Sequence, residues 1–466
     1  MERELWRASA LTLAAMIRDR EVSSREVVDA HLARIDSVNE QVNAVVEVRP
    51  DEVRRGASLA DDAVREGAAL GPLHGVPFTA KTNLDVAGYA TTEGTEALRD
   101  WMATADAPTV ERMRAAGAVL LARTNMPDLG LRVNTESSLY GATHNPWRRG
   151  LTAGGSSGGE AASIATGMSP IGLGNDIGGS LRNPAYACGV ASIKPSRGRV
   201  PQGNRSAAYT PGLHSQIMSA EGVLARHVGD LRSGLDAIKG AHRFDPQAID
   251  APLEGPRVAR RIALVPEPFG GDTDPGVANG VRMAGKALEG AGYEVEEIEP
   301  PQLFEAYLAW SELMVANLAV EAPVLQTLLG EGGRRFLELT TVDFGPATAE
   351  SHYLMHQSRY LVGRAWREFM ERYPLVVGPT WTQPPFAHGY DLIDVESAMK
   401  VVEGFRFVVP ANLLGLPAVC VPTGLNEGLP TGVQVIGTLF REDTCLDAAE
   451  VIERAVGVLT PIDPRS

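Results

Sequence analysis

Cysteine is scarce in this 466-residue chain: Cys188, Cys420 and Cys445 are its only three, and no two of them form a CxxC pair. That argues against a disulfide-stapled secreted scaffold and against thiolate metal knuckles. The small or apolar neighbours of Cys188 and Cys420 mark buried, inert thiols in a reducing cytoplasm, the expected compartment. Positive charge is also short, since 43 Lys and Arg stand against 58 Asp and Glu, for a net charge of −15. The basic pairs Arg148-Arg149, Arg260-Arg261 and Arg334-Arg335 are scattered. A phosphate backbone calls for a clustered basic face, so no nucleic-acid partner is expected. No apolar run reads as long enough to span a bilayer, so no membrane partner is expected either. Arg3 and Arg7 before the mostly apolar stretch 8–17 imitate a signal peptide, but Glu2 and Glu4 spoil its positive region and the run leads straight into Arg18-Asp19-Arg20. Internal repeats and low-complexity linkers are missing. At 44% hydrophobic and 22% charged residues the composition is that of an ordinary folded protein, and its length suits one large α/β enzyme as well as two or three average domains. The proline-rich, acidic stretch 244–256 reads as an exposed loop rather than a boundary.

Glycine is plentiful, with 49 residues, and it concentrates in three islands: GPLHGVPFTAK ending at Lys81, GGSSGGE ending at Glu160, and GNDIGGSLR ending at Arg182. Glycine serves where backbone must reach positive φ or approach a ligand closely, so two such turns displaying serines suggest a site lined by backbone N–H groups. Acyl transfer needs that geometry.

The segments around the islands alternate between helix and strand. Thr12 begins a helical pattern. Ser23 and Glu26 form a capping box ahead of a second helix whose apolar face holds Val27, Val28, His31, Leu32 and Ile35, and His31 reads as a packed side chain. Further helices are expected over 51–65, 108–116 and 160–165, and buried strands over 118–122 and 170–173. Past Pro201 the pattern predicts strands over 261–265, 293–298, 375–380 and 418–421, and helices over 279–291, 303–329, 347–372 and 444–455. This grammar belongs to an α/β sheet with both faces covered.

The islands resemble the amidase signature family of serine hydrolases. Lys81 follows GVPFTA, the GGSSGG turn is present, and DIGGSLR runs on through Asn183-Pro184 and Cys188-Gly189 to the IKPSRGRV run at 193–200. Weaker likeness covers nearly the whole chain, including Asn145-Pro146-Trp147, the NLLGLP run at 412–417 and the LPTGVQV run at 429–435. The resemblance implies a single α/β/α domain over 1–466 with a large mixed, twisted sheet and its signature core at about 71–201. It implies hydrolysis of carboxylic amides to acid plus ammonia or amine, with a small-molecule amide as partner, no cofactor and no metal. A homodimer is compatible with it. Matched position by position, Ser180 is the expected nucleophile, Ser156 the bridging serine with a cis bond before it, and Lys81 the base. Lysine can take a proton only when neutral, and lowering its pKa from about 10.4 to about 7 or 8 costs roughly 3–5 kcal/mol, which burial can impose. The oxyanion would rest on the N–H groups of Ile177, Gly178, Gly179 and Ser180. Asp176 and Arg182 would shape that turn. Thr82 departs from the family, which commonly has an acidic residue there; the substitution removes a negative charge that would raise the pKa of Lys81.

Other readings compete. Gly154 to Gly158 also satisfies GxSxG, which would make Ser156 the nucleophile of an α/β-hydrolase-type esterase, with Asp343 and His388 in the right chain order. Within the family, the glutamine-hydrolysing subunit of a tRNA-dependent amidotransferase is the alternative. That branch usually carries Thr at the position of Ile177 and Gln at that of Asn183, and both differences favour a stand-alone amidase. A dinucleotide fingerprint fails at Ile177 and a P-loop fails at Asn204, while His352 and His356 lack the glutamate of HExxH. Tyr307, Trp310, Met314, Trp381 and Phe386 are the candidates for lining an acyl pocket.

Overall fold

The computed structural model describes residues 4–205, 212–342 and 348–465. After α1 (Ala10–Arg18) the expected capping box opens α2 (Ser24–Val42), with Ser23 Oγ accepting the N–H of Glu26 and the Glu26 carboxylate accepting that of Ser23. The chain continues through β1 (Val45–Glu47), α3 (Pro50–Glu66), β2 (Pro77–Lys81), α4 (Pro108–Ala115) and β3 (Val119–Thr124), then a short hairpin of β4 (Glu136–Ser137) and β5 (Gly141–Ala142). The two serine-bearing islands lie on either side of α5 (Gly158–Ala165) and β6 (Ile171–Asp176), and α6 (Arg182–Cys188) follows the second. Next come β7 (Ala191–Lys194), α7 (Leu213–Met218), β8 (Ala220–Ala225) and α8 (Val228–Ile238). The second half holds β9 (Arg261–Leu264), α9 (Pro275–Gly290), β10 (Glu294–Glu297), α10 (Leu303–Leu328), α11 (Glu331–Thr341), α12 (Ala349–Arg372) and β11 (Leu375–Pro379). It closes with α13 (Val395–Gly404), α14 (Pro410–Leu413), β12 (Ala418–Asn426), β13 (Leu429–Gly437) and α15 (Glu442–Val456).

Eleven of these strands form one mixed sheet in the order β1-β3-β2-β6-β8-β7-β12-β13-β11-β9-β10. Its two ends contain parallel runs, β3-β2-β6 and β11-β9-β10, and the middle is antiparallel. Successive side chains on a strand face opposite ways, and the core divides accordingly. Leu224, Val376 and Ile436 pack on the face that holds α2, α5, α6, α10 and α12, while their neighbours Val223, Val377 and Val435 pack on the face of α1, α4, α8, α9 and α15. Lys81 follows Ala80, which belongs to the second face, so its side chain projects to the first, toward α5.

Several strands escape local patterning. β2 shows in the sequence only as the end of a glycine island, β7 runs into the start of the IKPS run, and β8 (AEGVLA) has the small, helix-tolerant composition that hides a strand; of the β12–β13 hairpin only 418–421 is expected. The expectation that no apolar stretch could span a bilayer needs correction for α10, whose 26 residues are long and apolar enough by length and composition. That apolar surface packs against α12 and α14 and walls a cavity described below. Asp343, the acid of the esterase reading, and Ala347, the expected start of α12, lie outside the described residues. The three cysteines are free and buried, and His31 is fully buried with Nδ1 2.8 Å from the carbonyl of Val27.

Candidate active site

Lys81 ends β2 and is fully buried. Its Nζ donates to Ser156 Oγ at 2.7 Å and to Asn175 Oδ1 at 2.8 Å. Asn175 reaches it because β6 runs parallel beside β2, with Ala80 opposite Leu173. Ser156 lies in the turn before α5, and the Gly155–Ser156 peptide bond is cis. Glycine is needed just ahead of it: Gly154 has φ +77°, and a Cβ there would stand 2.6 Å from the Cα of Pro184. The turn from Ile177 to Ser180 joins β6 to α6, and Ser157 N–H donates to the Ser180 carbonyl at 3.2 Å, tying the two serine turns together.

Asp176 organises that second turn. Its carboxylate accepts from the Gly179 N–H at 2.7 Å, the Leu181 N–H at 3.2 Å, both Nε and Nη2 of Arg182 at 3.0 Å, and Asn412 Nδ2 at 2.9 Å. Arg182 also donates to Asn412 Oδ1, Gln434 Oε1 and the carbonyl of Val408. Burial alone would raise the Asp176 carboxyl, but the charge and hydrogen bonds of Arg182 outweigh it and hold it well below the usual carboxylate range. The backbone amides of the turn are left unequal by this network. The Gly179 N–H is already committed to Asp176, whereas those of Ile177, Gly178 and Ser180 have no protein acceptor among the described residues.

Burial lowers Lys81 to about 7, against opposing charges on Glu93, Asp176 and Glu160. Glu160, one turn into α5, is buried with its carboxylate accepting from Thr124 Oγ1 at 2.7 Å and from Thr79 Oγ1, and burial raises it to about 7. Glu93, in a left-handed backbone conformation (φ 51°), is raised to about 7 by burial with Lys81 pulling the other way. Sequence reasoning misses both. Glu160 closes the GGSSGGE island in plain view, but the threonines that hold it come from β2 and β3. Thr82 is buried with no hydrogen-bond partner for its Oγ1 among the described residues.

Two cavities meet at Ser180. One, of about 710 Å³, is the more polar of the two and is lined by Ser156, Asn175, Glu93, Asn83, Arg197 and Glu221 among others. The second, of about 320 Å³, is mostly apolar and lined by Leu131, Ile177, Tyr307, Trp310, Met314 and Phe405 among others. Ser156 and Ser180 share the polar cavity, and no hydrogen bond joins their hydroxyls among the described residues. Tyr307, Trp310 and Met314 therefore line a pocket. Trp381 and Phe386 line neither of these two cavities; they pack against each other at 5.8 Å between ring centroids, with Tyr186 5.7 Å from Trp381. Trp310 Nε1 donates to the Ile177 carbonyl at 3.0 Å, and a Cβ on Gly178 would stand 2.6 Å from its ring, so the turn and α10 meet at glycine. His388 lines neither cavity, its nitrogens facing Asn134 Oδ1 and His144 Nδ1, and Ser156 meets a lysine rather than a histidine.

Comparison with known proteins places this geometry. A family model described as Amidase matches residues 26–446. An indoleacetamide hydrolase of Bradyrhizobium diazoefficiens is 40% identical, over 98% of this chain and 88% of that protein. An acylamidase of Rhodococcus erythropolis is 32% identical, over 97% of this chain and 96% of that one. A glutamyl-tRNA(Gln) amidotransferase component of Geobacillus kaustophilus is also 32% identical, over 96% of this chain and 97% of that one. Among solved structures, a 6-aminohexanoate cyclic dimer hydrolase superposes with a TM-score of 0.86 at 28% identity, covering 100% of this chain and 99% of that one.

Proposed function

This chain belongs to the amidase signature family and hydrolyses carboxylic amides, and we propose that Ser180 is its nucleophile, Lys81 its base and Ser156 the hydroxyl between them. The observation that carries the reading is the 2.7 Å contact of buried Lys81 with Ser156, on the wall of a cavity that Ser180 also lines. With Nζ neutral, the Ser156 O–H donates to its lone pair and Ser156 Oγ accepts the proton of Ser180. Ser180 Oγ then bonds to the amide carbon, and the carbonyl π electrons move onto oxygen. The N–H groups of Ile177, Gly178 and Ser180 receive that oxyanion; a preorganised donor of this kind contributes roughly 3–4 kcal/mol. Collapse of the tetrahedral adduct breaks the C–N bond, and the proton held at Lys81 returns through Ser156 to the departing nitrogen. Water, deprotonated by the same relay, cleaves the acyl-Ser180 ester and regenerates the serine. Asp176 and Arg182 hold the turn in shape.

The apolar cavity would take the acyl group and the polar one the leaving amine or ammonia. With the 40% identical indoleacetamide hydrolase in view, primary amides of aryl-substituted acids are the first substrates to test. A panel of aliphatic, aryl and aminoacyl amides should show release of ammonia by the purified chain, with the aryl acids favoured. Fluorophosphonate labelling should vanish in Ser180→Ala, which should lose roughly a million-fold in rate. Labelling that persisted there and disappeared in Ser156→Ala would make Ser156 the nucleophile. Activity confined to glutamine and dependent on added protein partners would replace the stand-alone reading with the amidotransferase one, against which Ile177 and Asn183 stand.

A further inference from the structure

The apolar wall beside Ser180 is interrupted by Arg132, which is paired with Asp391, and by two side chains that face each other, His214 from α7 and Glu321 from α10. His214 is only 6% exposed, and its Nδ1 has no hydrogen-bond partner among the described residues. The nearest carboxylate oxygen, Oε1 of Glu321, is 3.8 Å away, beyond direct hydrogen-bond reach. Gly212 leaves room for the pair, since a Cβ there would stand 1.9 Å from Glu321 Oε1 and 2.8 Å from His214 Nδ1. One helical turn on from His214, the Met218 carbonyl accepts from Asn412 Nδ2 at 3.3 Å, and that same amide grips Asp176. The pair is thus tied to the Ser180 turn through a short chain of contacts.

Buried polar groups in native proteins are satisfied by protein, water or ligand, so this one calls for an explanation. Burial lowers His214 to about 4, although Asn317 hydrogen-bonds to it, and burial also raises Glu321. Near pH 7 the imidazole is neutral, with one nitrogen that can only accept, and the Glu321 carboxyl presents an acceptor oxygen in either protonation state. A full cation between them would surrender its hydration for a single carboxylate in an apolar surround, which is unfavourable. A neutral N–H or O–H suits the gap better.

We propose that the apolar cavity selects acyl groups bearing one neutral hydrogen-bond donor on an aromatic body, received by Glu321 and His214. The inference rests on the reading above that this cavity holds the acyl group. A site built to accept a hydrogen bond discriminates strongly against an analogue that lacks the donor, because its acceptors are then left buried and unpaired.

The test is a matched pair of amides: indole-3-acetamide, and benzothiophene-3-acetamide, in which sulfur replaces the ring N–H at nearly the same shape. In the unmodified enzyme the ratio of kcat/KM values should favour the indole by about ten- to a hundred-fold. In Glu321→Leu the ratio should fall to about one, while Glu321→Gln, which keeps a carbonyl acceptor, should retain part of it. Because each ratio is internal to one variant, a general loss of fold or rate cancels. Equal hydrolysis of the two amides by the unmodified enzyme, or a ratio undiminished in Glu321→Leu, would overturn the inference and leave the acyl-cavity reading standing. Failure to hydrolyse either amide, with short aliphatic amides still cleaved, would overturn the acyl reading and this inference together.

Discussion

Two lysines in this molecule are fully buried, and burial brings both to about 7, yet their surroundings differ in kind. Lys81 ends β2 with a serine hydroxyl and the Asn175 carbonyl on its amine, and although the lysine itself lines no cavity at Ser180, both of those partners do. Lys194 ends β7, donates to the Pro195 carbonyl at 2.9 Å, and lines neither cavity at Ser180. The positive charge of Arg182 adds to its depression, while Asp176 and Glu442 oppose it. A depressed pKa is therefore not a functional assignment. What separates a base from a structural amine is a proton donor within reach and an open path to substrate.

Exchanging each amine for a methionine of similar bulk breaks the comparison most directly. Lys81→Met should lower kcat by roughly 10²- to 10⁴-fold, the usual weight of a general base, and should flatten the acidic limb of the pH profile. The sign follows from the role: protonated Lys81 cannot accept a proton, so activity rises with pH through about 7. Lys194→Met should keep both the limb and most of the rate. If the limb vanished in Lys194→Met and survived in Lys81→Met, the titrating group would be Lys194, acting through Asp176, and the relay assignment would fall.

Arg182 sharpens the contrast from the side of Lys194. It forms a buried ion pair with Asp176 and donates to three further acceptors. Removing one partner of such a pair strands the other charge, at a cost of about 3–5 kcal/mol. Arg182→Met should lose stability of that order in urea unfolding at pH 7, and the amine of Lys194 would be left as the principal counter-charge for Asp176. A loss under about 1 kcal/mol would mean that Lys194 already balances the carboxylate, and that the pair is weaker than its geometry implies.

The Lys81 side of this comparison was legible in the sequence and the Lys194 side was not. Lys81 closes a glycine-bearing island, Ser156 and Ser180 lie in glycine-marked turns, all within a hundred residues of one another, and glycine at 154, 178 and 179 announces close backbone approach. The groups that tune and shape the site come from far away. Asn412 and Gln434 reach Asp176 and Arg182 only because β12 and β13 join the middle of the sheet, and Glu93 arrives from a loop with no pattern of its own. His214 lies on the short α7, which no sequence pattern announces, whereas Trp310 is a pocket candidate in the sequence by its aromatic type alone. The strand order that brings these segments together is set by pairing across hundreds of residues, which local periodicity does not encode. Asn175 was in view, one residue from Asp176 at the end of an apolar strand. Alternation alone sends the two side chains to opposite sides, one to Lys81 and the other to Arg182.

The smallest expected effect concerns Thr82, where the family commonly has an acid. Thr82 follows Lys81 directly, is buried, and its hydroxyl has no partner among the described residues. A carboxylate there would favour the charged lysine. In Thr82→Asp the acidic limb of kcat/KM should therefore move to higher pH, by about one unit or less, because adjacent side chains leave the backbone in different directions and the added charge acts at a distance. With the base titrating higher, activity at pH 7 falls while activity at pH 9 barely changes. Thr82→Val removes the hydroxyl without adding charge. It should leave the limb where it is and stability unchanged or slightly higher, since no hydrogen bond is lost. A limb that stays fixed in Thr82→Asp, with the new carboxyl shown by infrared difference spectroscopy to be ionised, would mean that the group titrating near 7 does not feel a charge next to Lys81. Lys81 would then lose the one property that sets it apart from Lys194.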